Sequence, residues 1–363
     1  MGSKVFSVLM LGLLLLVGCS QGDREQMTPR GNLERTGSYR ADPATLSEVA
    51  WQATGAAYVE AAPAMARGVV VWGGRDQVLR GTDFATGGSL WQVQLDGAIS
   101  AAPTIMNRRV FVGTEGGSLY LLHLESGKVE ATIAVGSPVQ TAPLAYGSLV
   151  VVGCRDGSLR AFDLATRTPV WTLQTGGSLA GDLALSKGVL YAGNINGEVL
   201  AVVLWQGRVK WRFAARGAIV STPAVAGGRV YVGTRGRLFY ALDALTGRQE
   251  WRFRAGNEIR SSAAVSDDLV IFGCDNDRVF ALKRGTGQEI WQFKARGMVE
   301  SSPVIVGDRV YFGSRDRHVY AVALDGGREV GKWAADSWIN ADLLPARGSL
   351  LVATRAGKLV KLK

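Results

Sequence analysis

The stretch Trp211–Glu250, WRFAARGAIVSTPAVAGGRVYVGTRGRLFYALDALTGRQE, decides the fold. It holds an apolar run at Pro223–Ala226, a Gly227–Gly228 turn and an alternating run from Val230 to Gly233. A second alternating run, Leu238–Asp243, ends at the turn Leu245–Thr246–Gly247, and Trp251 opens the next unit. Alternation broken by Gly- or Asp-bearing turns roughly every eight to twelve residues is the pattern of consecutive antiparallel strands. Here there are four to the unit. Outward from this stretch the unit recurs: Trp51, Trp91, Trp171, Trp211, Trp251 and Trp291 are spaced by 40 residues or a multiple of 40, with Ala131 and Gly331 at the two positions lacking an indole. A second marker stands 22 residues after each position: Gly73, Gly113, Gly153, Gly193, Gly233, Gly273 and Gly313, with Ala353 eighth. Two markers that keep one period without insertion define a repeat protein.

A four-stranded unit of this length cannot cover both faces of its own sheet, so units must stack. Strand patterns throughout, with no helical period, predict radial stacking: an all-β, eight-bladed β-propeller of four-stranded antiparallel blades. Residues 52–330 hold seven units, and beyond Gly331 only three strands remain: Leu343–Pro345, Leu350–Ala353 and Leu359–Leu362. Val49–Ala53 carries Trp51 with no unit before it, so the ring should close with this N-terminal outer strand in the eighth blade. The expected organisation is an export signal at 1–18, a tether and strap at 19–47, and the propeller at 48–363.

Composition agrees with a turn-dense β protein. The 363 residues include 47 Gly and 10 Pro, yet 47% are hydrophobic, which separates the chain from disorder. The formal charge of +10 is scattered among turns with no run of five basic residues, which argues against nucleic acid as the partner.

Met1–Cys19 combines Lys4, the apolar run Val5–Val17 and the ending Leu16–Val17–Gly18–Cys19. That run is too short to span a bilayer and reads as a signal peptide. Its ending resembles the lipobox of bacterial lipoproteins, which implies acylation of Cys19, cleavage before it and anchoring by several acyl chains. An ordinary signal peptide with a cysteine near the cut is the alternative. Ser20, where an Asp would imply retention at the inner membrane, implies the outer membrane. Residues 20–47 are polar and turn-rich (Arg30–Gly31–Asn32, Thr36–Gly37, Asp42–Pro43) and read as a tether plus a strap.

Beyond Cys19 the only cysteines are Cys154 and Cys274, at one repeat position three units apart. That separation is too wide around a ring for a disulfide, so two free, buried thiols are expected. His123 and His318 stand alone, no metal-ligand spacing occurs, and no cofactor is expected. First strands mostly open with a small-small-Pro pattern, as in Ser221–Thr222–Pro223, and two units break it with Asp182 and Asp342, four units apart. Each Asp is expected to hydrogen-bond a neighbouring loop or water near the channel rather than to serve as half of an acid/base pair. A fuller pattern comes two residues after the marker glycines: Arg75, Glu115, Arg155, Ile195, Arg235, Asp275, Arg315 and Arg355. These turns share one face of the disc with the interblade loops, which add Arg216, Arg254, Arg260 and Arg296. Such a rim suits bidentate capture of acidic groups on a partner, or else is neutralised by its own acids, as in Arg155–Asp156 and Arg315–Asp316.

The third-to-fourth strand turns carry a more specific signal. Asp83–Gly87, Asp163–Thr166 and, most completely, Ala241–Trp251 show the A-x-D-x-x-T-G-x-x-x-W signature of the pyrroloquinoline-quinone-like repeat. Residues 30–37, RGNLERTG, look like the segment that precedes the first blade in quinoprotein-like propellers, and Gly193–Trp211 has the character of a middle blade. With the lipobox and tether, the chain resembles the BamB family of outer-membrane lipoproteins. The resemblance implies a non-catalytic, lipid-anchored scaffold on the periplasmic side of the outer membrane. Its partner would be a barrel-assembly protein, docked through interblade loops. Of that family's contact set only Leu173, in Leu173–Gly177, carries over; the accompanying Arg is absent. The candidate partner-binding residues are therefore Arg75, Arg155, Leu173, Arg235, Arg315 and Arg355. A quinone-dependent dehydrogenase and a ligand-sensing lipoprotein are the alternatives; the first is weakened by the lack of an adjacent cysteine pair.

Overall fold

The computed structural model describes residues 26, 27, 29–55 and 58–363. The expected signal peptide (1–18) and the expected acylation site Cys19 lie outside them. Among the described residues, one 3-10 turn at Pro29–Gly31 is the sole helical element, and every other element is a strand. The strands form eight sheets, each built on four antiparallel strands, which in seven of them follow chain order from the channel outward. Blade 5 is typical: Ala224–Ala226, Arg229–Gly233, Leu238–Asp243 and Gln249–Arg254. Blade 8 combines Leu344–Ala346, Ser349–Ala353 and Lys358–Leu362 with Val49–Thr54, which pairs Gln52 with Val360 and Thr54 with Lys358. The ring is closed by the N-terminal strand, as the unpaired Trp51 predicts.

Burial explains the composition of each strand. Second strands are covered on both faces by neighbouring blades, so Leu149–Gly153 is wholly buried and reads as an uninterrupted apolar run. Outer strands are half-covered and alternate: in Gln249–Arg254, Trp251 is buried while Arg252 and Arg254 are exposed. Both 40-residue markers are packing constraints. Each repeat Trp donates its indole N–H to a carbonyl 33 residues on, in the next blade: Trp91 to Leu124, Trp211 to Ala244 and Trp291 to Leu324, at 2.9–3.1 Å. The ring lies on a turn glycine of that blade; a Cβ on Gly287 would come within 2.5 Å of Trp251. The two missing indoles are explained by their partners. Ala131 faces a turn with Arg167 in place of glycine, and beside Gly331 the strap residues Ala44 and Leu46 are buried in the cluster between blades 7 and 8. The second marker is a close approach: a Cβ on Gly233 would lie 2.3 Å from the buried Ile259 of the following interblade loop.

The turn chemistry agrees with the sequence motif. Asp243 Oδ1 accepts the N–H groups of Leu245 and Thr246 and the Thr246 hydroxyl, and Asp83 and Asp163 hold their turns alike. Cys154 and Cys274 are free and buried, as expected.

The strap does more than lead into the first outer strand. Gln26–Met27 pairs antiparallel with the inner strand of blade 2, and Ser38–Tyr39 pairs parallel with that of blade 7. Between them the carbonyls of Leu33, Glu34, Thr36 and Gly37 accept the N–H groups of Leu185, Val225, Val265 and Ile305. One segment thereby crosses the channel and gives the inner strand of each of blades 4 to 7 a backbone acceptor for an otherwise edge-facing N–H.

Candidate functional site

Two features stand on the axis: a channel stopped by the strap, and a face of loops and turns surrounding its open mouth. The stopper carries two arginines. Arg30 is buried and donates to the carbonyls of Ala263 and Pro303 while pairing with Asp342 at 3.3 Å. Arg35, fully buried, donates to the carbonyls of Leu183 (2.8 Å) and Pro29 (2.6 Å) and lies in the field of the Asp182 carboxylate. The Asp residues that break the small-small-Pro pattern on opposite sides of the ring are thus the counter-charges of the strap.

The same two aspartates belong to a belt around the channel. Ala142 N–H donates to Asp182 Oδ1, Asp182 N–H to the Thr222 hydroxyl, Thr222 N–H to Ser262, Ser262 N–H to Ser302, and Ser302 N–H to Asp342 Oδ1, all at 2.7–3.0 Å. Each donor and acceptor lie 40 residues apart, so the belt ties blades 3 to 8 edge to edge. Ala62 and Ala102 occupy the equivalent positions in blades 1 and 2 and offer no side-chain acceptor. Asp182 lines the mouth cavity yet sits deep in the ring. Burial raises its carboxyl above the ordinary range despite the charge of Arg35 and the Ala142 N–H, and burial likewise pulls Arg35 down. The mouth itself is a cavity of about 210 Å³ floored by Pro29 and lined by Asp182, Arg260, Glu300 and Asp342.

The face is built with the same regularity. In all eight blades the residue two past the marker donates its N–H to an interblade carbonyl at 2.9–3.0 Å: Arg75 to Tyr58, Arg155 to Pro138, Arg235 to Ala218, Arg315 to Met298 and Arg355 to Trp338 among them. Side chains then knit the rim. Arg75 pairs with Glu60 (3.1 Å), Arg155 with Glu115 (3.4 Å), Arg235 with Glu258 (2.9 Å) and Arg315 with Glu300 (2.9 Å). Arg260 bridges Glu258, Asp275 and Glu300. Arg355 lies over the rings of Tyr58 and Trp338 at 4.4 and 4.7 Å, and Arg315 shares the Trp338 ring at 5.0 Å. The adjacent acids do not serve these arginines: Asp156 pairs with Arg160, while Asp316 holds His318 and Tyr320. The structure therefore brings Arg75, Arg315 and Arg355 into one charged and aromatic arc. Arg235 is joined to Arg315 of this arc through Glu258, Arg260 and Glu300. Arg155 stands elsewhere on the same rim, and half-buried Leu173 is set apart against the core of blades 3 and 4.

Sequence reasoning found the rim and the unusual aspartates but not the arginines that answer them. A signal existed: Arg30 and Arg35 are two odd cations in a strap, opposite two odd acids in a repeat.

A family model described as "Outer membrane protein assembly factor BamB" matches residues 75–181 and 155–363. Among solved structures, BamB from Moraxella catarrhalis superposes with a TM-score of 0.76 at 18% identity, over 87% of this chain and 99% of that one. The quinohemoprotein alcohol dehydrogenase from Comamonas testosteroni gives 0.78 at 14% identity, over 91% and 79%. The computationally designed Ika8 protein gives 0.76 at 18%, over 85% and 97%. At these identities the structural likenesses speak to the fold. No curated protein matches the chain in sequence.

Proposed function

Because the chain belongs to the family of the outer membrane protein assembly factor BamB, we propose that it is a non-catalytic scaffold in outer-membrane β-barrel assembly. In this reading it is held by an acylated Cys19 at the periplasmic side of the outer membrane, and it meets the periplasmic domains of a barrel-assembly protein with the rim carrying Arg75, Arg155, Arg235, Arg315 and Arg355. Leu173, being half-buried, would contribute only at the edge of such a contact.

The observation that carries the reading is the stopped channel. The strap spans it, and the carboxylates that could serve chemistry there are engaged by Arg30, Arg35 and the interblade belt. The residues present do not fit a quinone with its cation. Among the described residues no three of His, Cys, Asp or Glu are placed to hold a metal ion together, the acids Glu258, Asp275 and Glu300 being bridged by Arg260, and the two cysteines lie in separate blades. The rim, by contrast, offers preformed guanidinium and aromatic groups that a partner's carboxylates can reach by exchanging weak, exposed ion pairs.

The test is affinity capture of the lipidated protein from detergent-solubilised membranes, with partners identified by mass. A barrel-assembly protein should be recovered with the wild type and lost when Arg155, Arg235 and Arg315 become Glu. Recovery of no such protein would reject the assembly role.

A further inference from the structure

Charge is unevenly spread around the disc. Residues 208–254 hold ten Arg or Lys against two acids, +8 of the formal +10 of the chain. The acids in and beside this sector are already committed: Glu198 to Arg212, Glu250 to Arg229, Glu258 to Arg235 and Asp243 to its own turn. Six exposed arginines of the stretch have no ion pair, and four of them share one place. Arg216, Arg237, Arg252 and Arg254, with Gly236 and Leu238, line an open pocket of about 520 Å³ at the rim of blade 5, and no described acid lies within ion-pair reach of any of them.

Two details show that the pocket is more than a surplus of surface charge. Arg237 has φ 67° at a turn position that Gly117, Gly157, Gly197 and Gly357 fill in four other blades, while Gln77, Asp277 and Arg317 hold it at a similar φ in the remaining three. Glycine would sit there without strain, so the guanidinium is kept at a conformational cost. Arg252 and Arg254 are two residues apart on the outer strand Gln249–Arg254, which ends its sheet with one edge unpaired among the described strands. Residues two apart on a strand share a face at a spacing of roughly 6.5–7 Å, which is also the spacing of alternate side chains on a strand laid beside it.

We propose that this pocket docks an extended acidic polypeptide segment. The segment adds as a strand to the outer edge of blade 5, placing carboxylates at alternate positions against Arg252 and Arg254 and a third near Arg216 and Arg237. An edge strand supplies backbone pairing and charge together, whereas a lone phosphate group would use only the guanidiniums. The proposal rests on the scaffold reading and names the chemistry of what the scaffold holds.

The test is fluorescence anisotropy on the full mature chain, using a labelled peptide with Glu at alternate positions and its Gln counterpart. The Glu peptide should bind, weaken with salt, and lose at least tenfold in affinity with Arg252→Glu plus Arg254→Glu. Arg237→Gly should weaken it several-fold with no fall in Tm. N-methylation of the peptide backbone at the pairing positions should abolish binding. Equal binding of the Glu and Gln peptides, or indifference to the charge reversal, would overturn the proposal. So would inorganic phosphate or phosphatidylglycerol vesicles binding this pocket in place of the peptide. Peptide binding lost on the isolated chain while membrane capture of a barrel-assembly protein persists rejects the site and leaves the scaffold. The converse result rejects the assembly role and leaves the site.

Discussion

Arg30 and Arg35 both hold left-handed backbone conformations, φ 63° and 58°, with their side chains buried. Such residues cost of order 1–3 kcal/mol each unless their surroundings over-determine them, and here the surroundings are the carbonyls and carboxylates of several blades. Removing one partner leaves a buried charge. Asp342→Asn should destabilise by roughly 2–3 kcal/mol, below the 3–5 of a fully enclosed pair because the Asp342 side chain borders the mouth cavity. Denaturant midpoints would measure this; a variant within about 0.5 kcal/mol of wild type would show the pair contributes nothing. Asp182 allows a test with a sign. Its carboxyl is raised by burial, so the folded chain holds that proton more tightly than the unfolded one. The stability carried by the group is full below the ordinary Asp value of about 3.9 and falls as pH rises toward the raised value. Asp182→Asn keeps an oxygen acceptor for Ala142 N–H and removes the titration. Relative to wild type it should gain stability as pH rises from about 4 toward 7, and a difference that does not change over that window would contradict the assignment.

At the scale of the element, the interblade lock of Trp and glycine is what made the fold legible. Both partners recur because both are sterically fixed: the indole must reach a carbonyl 33 residues away, and the glycine beneath it has φ near +70° with no room for a Cβ. The exceptions teach the same lesson, since the missing indole at Ala131 is matched by Arg167 at the glycine position. Gly287→Ala should therefore cost about 1–3 kcal/mol by overpacking against Trp251, while Arg167→Gly at φ 64° should be neutral or stabilising by up to about 1 kcal/mol. Comparing the two unfolding midpoints decides it; equal losses would mean the turn and not the ring sets the requirement. The strap was less legible for an equally physical reason. It has no period, its contacts are long-range, and Arg30 meets Ala263 and Asp342, 233 and 312 residues away. Polar turn-rich sequence announces a loop, but nothing in it announces which strands the loop will cap.

For the whole molecule the strap and the belt complement each other. The belt ties blades 3 to 8, and the strap, paired with blades 2 and 7, reaches across the ring. Deleting residues 26–39 would leave the N–H groups of Leu185, Val225, Val265 and Ile305 without their strap carbonyls. The expected result is a lower melting temperature together with hydrogen exchange that rises first on the inner strands of blades 4 to 7; unchanged protection there would show that the strap is dispensable. The sequence likewise made the rim visible as a ring of turns but hid its wiring, because Arg75, Arg155, Arg235 and Arg315 pair with acids of neighbouring loops and turns and Arg355 lies on aromatic rings, none of these partners being beside its arginine in the chain. The most direct test of that face is photo-crosslinking in intact cells, with the reactive residue placed at exposed rim positions such as Arg235 and Ile195 and, for contrast, at Thr166 and Leu245 in the turns of the opposite face. The scaffold account predicts adducts with a barrel-assembly protein from the rim alone, and adducts confined to the opposite turns would contradict it.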